Sequence, residues 1–77
     1  MSTPYERGYA AGQWTKKKIR DLGFRSATEC LAHQEKVHQD ECAALPHLYQ
    51  RNPTFAAQQE EYLNGLIAGT RVSLRGL

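Results

Sequence analysis

Apolar residues recur at three- and four-residue steps along most of this chain, and no stretch of useful length alternates apolar with polar. That pattern predicts helices and no strands. In the last third, Phe55, Tyr62, Leu63, Leu66 and Ile67 make one apolar stripe. In the middle, Ala27, Cys30, Leu31, Val37, Cys42, Leu45 and Leu48 fall on one side at about 100° per residue. The first third is thinner. Tyr5, Tyr9, Trp14, Ile19 and Leu22 are separated by Gly8, Ala11 and Gly12, so part of its packing face consists of small residues.

Start and stop signals divide the chain into three. Thr3-Pro4-Tyr5-Glu6 reads as a capping box with proline at the first helical position, where its missing N–H costs nothing. A first helix is predicted from Pro4 to about Asp21, closed at Leu22-Gly23. Ser26-Ala27-Thr28-Glu29 repeats the capping pattern and opens a second helix from Ala27 to about Ala44. Pro46 to Gln50 is expected to form a short turn. Asn52-Pro53 then starts a third helix reaching about Thr70, with residues 71–77 as a frayed tail. The expected fold is all-α: one domain spanning 1–77, a small three-helix bundle running up-down-up.

The first and third helices share a pattern. Residues 5–12 and 62–69 both read Y-x-x-G-[YL]-x-A-G. Glycine inside a helix costs roughly 0.5–1 kcal/mol relative to alanine, so Gly8, Gly12, Gly65 and Gly69 call for a reason. Close backbone approach supplies one, and the two outer helices are expected to pack through these glycine faces.

Arg7-Gly8-Tyr9-Ala10-Ala11-Gly12, the Asn52-Pro53 break and Tyr62-Leu63-Asn64-Gly65-Leu66-Ile67-Ala68-Gly69 together resemble ribosome modulation factor and its small relatives. The resemblance covers about a third of the chain. Thr54 stands where the family has tyrosine, Tyr62 where it has tryptophan, and residues 24–51 have no counterpart. The resemblance implies a small cytoplasmic, non-enzymatic factor that binds ribosomal RNA or the ribosomal surface and quiets translation.

Charge sharpens that expectation. The net charge is +2 over 77 residues, but residues 1–25 carry +4, residues 26–61 carry −4 and the remainder +2. In an up-down-up bundle the ends of the first and third helices share a pole. Lys16, Lys17, Lys18, Arg20, Arg25, Arg71 and Arg75 would converge there to hold phosphates, with Trp14 stacking on a base. The plainer reading is that cations near helix C-termini complement the helix dipole. The acidic middle supports a rival function: an inhibitor or adaptor, of the kind mobile elements encode. It would bind a host protein through Glu35, Asp40, Glu41, Glu60 and Glu61, as a nucleic-acid mimic. The small core makes a homodimer plausible under either reading.

Cys30, His33, His38 and Cys42 offer a permissible zinc-ligand set. On one continuous helix, however, the two cysteines stand roughly 18 Å apart, too far to share a metal or a disulfide. They read instead as core thiols, and no metal, cofactor or enzymatic activity is expected. No apolar run is long enough to span a membrane, and mean hydropathy is −0.66. With no secretory-signal pattern at Met1 to Glu6, a cytoplasmic location is expected. A helix-turn-helix around Leu22-Gly23-Phe24 is disfavoured because the flanking helices are too long and the second is acidic.

Overall fold

The computed structural model describes residues 2–19 and 21–75; Met1, Arg20, Gly76 and Leu77 lie outside the described residues. The fold is all-α. Four helices are described: α1 (Pro4–Gln13), α2 (Thr15–Lys18), α3 (Ala27–Arg51) and α4 (Pro53–Arg75).

Each long helix starts at a side-chain cap. Thr3 Oγ1 accepts from the Glu6 N–H at 3.1 Å, Ser26 Oγ from the Glu29 N–H at 3.1 Å, and Asn52 Oδ1 from the Phe55 N–H at 3.1 Å. These bonds satisfy amide donors that a helix start otherwise leaves open. The helix ends differ from the sequence expectation in three ways.

First, the helix expected over 4–21 is broken at Trp14. Lys16 N–H donates to Ser73 Oγ at 3.1 Å instead of to its own helix, and the Ser73 hydroxyl donates to the Gln13 carbonyl at 2.9 Å. A side chain from α4 thus takes over backbone groups on both sides of the break. Second, α3 runs through Pro46 to Arg51 rather than stopping near Ala44. Proline withholds the N–H that the Cys42 carbonyl would receive, at a typical cost of ~3 kcal/mol. Packing of Leu45, only 7% exposed, and a Tyr49 hydroxyl bond to Glu60 at 3.2 Å offset that loss. Third, α4 extends to Arg75, so residues 71–75 of the expected tail are helical. Leu74, 5% exposed, gives that last turn an apolar anchor.

α4 lies in the middle of the molecule. One of its sides carries Ala56, Leu63, Ile67 and Leu74, which close the small apolar core with Cys30 and Leu45 of α3. The pairs Tyr49–Glu60 and Glu35–Arg71 show that α3 and α4 run antiparallel, joined by Asn52 alone. The other side of α4 meets α1 backbone to backbone. A Cβ placed on Gly8 would overlap the Tyr62 carbonyl oxygen and sit 2.8 Å from the Leu66 nitrogen. One on Gly65 would overlap the Tyr5 carbonyl oxygen and sit 3.0 Å from the Tyr9 nitrogen. Gly12 stands in the same way against Leu66, and Gly69 against Tyr9.

These relations are reciprocal. Adding 57 to each α1 position gives its α4 counterpart, so the sequence repeat is realised as a parallel helix pair with a local pseudo-twofold axis between its members. The buried hydroxyls of Thr15 and Thr70 lie 3.5 Å apart at the end of this pair, and Thr70 also donates to the Leu66 carbonyl at 2.8 Å. The long helices therefore form a layer ordered α1, α4, α3, with extents of 39 × 28 × 18 Å. The two flanking helices do not close over α4 into a bundle core.

Candidate nucleic-acid interface

The basic end is built where α2 meets the last turns of α4. Thr15 is buried against Thr70, and the Lys16 amide is held by Ser73. The four-residue helix Thr15–Lys18 is therefore fixed to α4 by its backbone and its first side chain. Lys16, Lys17 and Lys18 are all exposed. Arg75 lies two residues beyond Ser73, at the register of Lys18, and is exposed too. Trp14 sits at the α1–α2 break, 54% exposed, with the Lys17 ammonium 4.7 Å from its ring centroid. A cation in that position is drawn to the electron-rich ring face and keeps the indole rim against the lysines.

Not every residue of the expected cluster joins this end. Arg71 turns to α3, where its Nε donates to Glu35 Oε1 at 3.1 Å. Arg25 lies on the bend before α3, where its backbone N–H donates to Glu29 Oε2 at 3.4 Å, a bond that does not involve its guanidinium. Arg20 falls outside the described residues. Trp14, Lys16, Lys17 and Lys18 share this end with the last turn of α4, which carries Arg75. Among the described residues the ion pairs are Lys36–Asp40 and Arg71–Glu35, so these four cations have no carboxylate partner there. Exposed, unpaired ammonium groups on a fixed backbone can hold phosphate oxygens, and an exposed indole can stack on a base. Sequence reasoning missed Thr15, Thr70 and Ser73, the residues that position this end. Their signal is hydroxyls at helix positions where the stripe calls for apolar groups.

The acidic residues differ in their partners. Glu35 is taken by Arg71, and Asp40 by Lys36 at 3.7 Å. Glu60 accepts from Tyr49, while Glu41 and Glu61 stand exposed on different helices.

No family model, curated protein or solved structure matches this chain.

The cysteines and histidines are dispersed along α3. Its unbroken course puts Cys30 and Cys42 about 18 Å apart. His33 packs against Phe24, ring centroids 5.2 Å apart, which ties the 21–26 connection to α3. His38 Nε2 lies 3.5 Å from Cys42 Sγ. Among the described residues no three His, Cys, Asp or Glu side chains converge as a metal site would require. Burial pushes the Cys42 thiol up, and the carboxylates of Glu60 and Glu41 push it further; burial alone raises Cys30. Tyr49 is raised by burial, then by the charge of Glu60 and the hydrogen bond to it.

Raised acids favour the neutral form in the folded state. They contribute stability below their unfolded values, and that contribution is lost as pH rises through the folded values. The melting temperature should therefore be insensitive to these groups near neutral pH and fall above the ordinary thiol range of about 8.5. At pH 8, Cys42 should react with iodoacetamide more slowly than a free thiol, and Cys30, 0% exposed, should react only on unfolding. Mass spectrometry of the alkylated peptides checks both statements. Rapid modification of Cys42 at pH 7 would mean that His38 activates it.

Proposed function

We propose that this chain is a non-enzymatic, cytoplasmic regulatory protein that binds ribosomal RNA or a ribosomal surface through the basic end formed by α2 and the last turn of α4. The supporting observation is the arrangement of Lys16, Lys17, Lys18 and Arg75, exposed and without a carboxylate partner among the described residues, at the end that carries an exposed Trp14. The resemblance of residues 7–12, 52–53 and 62–69 to ribosome modulation factor points to the same partner. In this reading the glycine-faced pair of α1 and α4, running in one direction against α3, is the rigid frame that presents the basic end. An up-down-up arrangement is what brings the ends of α1 and α4 to one pole.

The weak acidic background of α3 fits such a role, since it opposes indiscriminate polyanion binding and leaves the attraction to one end. With Glu35, Asp40 and Glu60 engaged by Arg71, Lys36 and Tyr49, the carboxylates give less support to a nucleic-acid mimic.

The test is recovery of tagged protein from bacterial lysate, with and without RNase, followed by mass spectrometry and an RNA gel. Ribosomal proteins and ribosomal RNA are expected, and both should be lost on RNase treatment or in about 0.5 M salt. A single protein retained through both treatments would replace this reading with the inhibitor or adaptor.

A further inference from the structure

One flank of α3 is left open beside α4. Gln34, Val37, Glu41, Ala44, Leu48 and Arg51 follow one another at steps of three, four, three, four and three. That is the seam spacing with which one helix packs along another. With Leu63 and Leu66 of α4 as floor, the stripe lines a continuous pair of shallow clefts on one side of the layer. Glu41, Ala44 and Arg51 are exposed, and Val37 and Leu48 only half-buried. Pro46 lines a different cleft with Cys42, Tyr49 and Glu60, so it does not obstruct the seam.

Two observations indicate what covers this flank. The first is area. The chain exposes 5523 Å², whereas a compact monomer of 8.7 kDa is expected to expose about 4,700 Å². The difference, roughly 800 Å² over the whole chain, is as large as one partner's share of a standard protein interface. The second is self-complementarity. A twofold axis set midway between Ala44 and Leu48 lays the stripe antiparallel to its own copy. Ala44 then faces the partner's Leu48, small against large, and Glu41 faces the partner's Arg51. Symmetry supplies each pairing twice. Neither Glu41 nor Arg51 has an ion-pair partner among the described residues.

We propose that the occupant is a second copy of this chain, docked antiparallel through the Glu41–Arg51 part of the stripe as an isologous dimer. This is independent of what the basic end binds. Because Glu35 pairs with Arg71 near the α2 end, antiparallel α3 helices place the two basic ends at opposite extremes of the dimer.

Sedimentation equilibrium of the full chain over a concentration series, with far-UV circular dichroism to confirm folding, tests this. The wild-type mass should approach twice 8.7 kDa. Glu41→Arg or Arg51→Glu alone sets like charges opposite each other at two symmetry-related places and should weaken association at least about tenfold. Both positions are exposed, so neither change should disturb the fold. The double variant E41R/R51E should recover the dimer, because each reversed charge meets the other across the interface. A wild type that stays at 8.7 kDa overturns the proposal. So do single variants that associate as tightly as wild type, or a double variant no better than the singles.

Discussion

Gly65→Ala should cost about 3 kcal/mol of stability or more, although alanine is the better helix former by about 1 kcal/mol. The reason is what the new methyl would meet. Its nearest neighbours are the Tyr5 carbonyl oxygen and carbon and the Tyr9 nitrogen, all backbone atoms of α1. A flexible side chain can swing aside, but a helix backbone moves only as a unit. Admitting the methyl therefore means pushing α1 off α4 along its length. That separation also loosens the Gly8, Gly12 and Gly69 contacts and draws Thr15 and Lys16 away from Thr70 and Ser73. For a chain of 77 residues the total is on the order of 4–12 kcal/mol, so the loss is a large share of it. Gly8→Ala should behave alike, since its methyl meets the Tyr62 carbonyl and the Leu66 nitrogen.

Gly23→Ala is the internal control. Nothing lies within 4 Å of its added Cβ, but φ is +82°, so only the left-handed penalty of roughly 1–2 kcal/mol applies. Urea denaturation followed by circular dichroism orders the three. Helix propensity alone gives the opposite sign at Gly65, and a stabilised Gly65→Ala protein would mean that α1 does not rest on α4.

Helix starts were legible because they are local. Thr3, Ser26 and Asn52 each bond an amide three residues ahead, so the cap and its partner sit within one readable window. Helix ends were less so, because tertiary contacts decide them. Ser73, nearly sixty residues away in sequence, interrupts the helix after Gln13; burial of Leu45 and the Tyr49–Glu60 bond carry α3 through a proline that local rules take as a stop. The layered arrangement with α4 in the middle was also hidden, since two equal-looking stripes do not say which helix is shared.

The same division holds at the basic end. The run Lys16-Lys17-Lys18 is visible as charge, but the diversion of Arg71 to Glu35 spans 36 residues and depends on how α3 and α4 are registered. The sequence expectation therefore assigned to the basic end a cation that is already paired.

Reversing Lys16, Lys17 and Lys18 to glutamate together should lower RNA affinity at least about a hundredfold at 0.15 M salt, and the manner of loss matters more than its size. Each lysine that holds a phosphate releases about one counterion, so replacing three should reduce the slope of log affinity against log salt by two to three units. The fold should survive, because the three side chains are exposed while α2 is held through Thr15 and the Lys16 backbone. Trp14→Ala makes the complementary measurement. Stacking of one base on an indole is worth ~1–3 kcal/mol and releases no counterions, so affinity should fall several-fold to about a hundredfold with the salt slope unchanged. Lys17 loses its ring partner in that variant but keeps its charge. Filter binding of ribosomal RNA fragments over a salt series separates the two effects. If the triple variant keeps the wild-type slope, these lysines hold no phosphates; if Trp14→Ala changes nothing, the indole only lines the lysine stems. Either result removes one named contact, and both together remove the basic end as the binding surface.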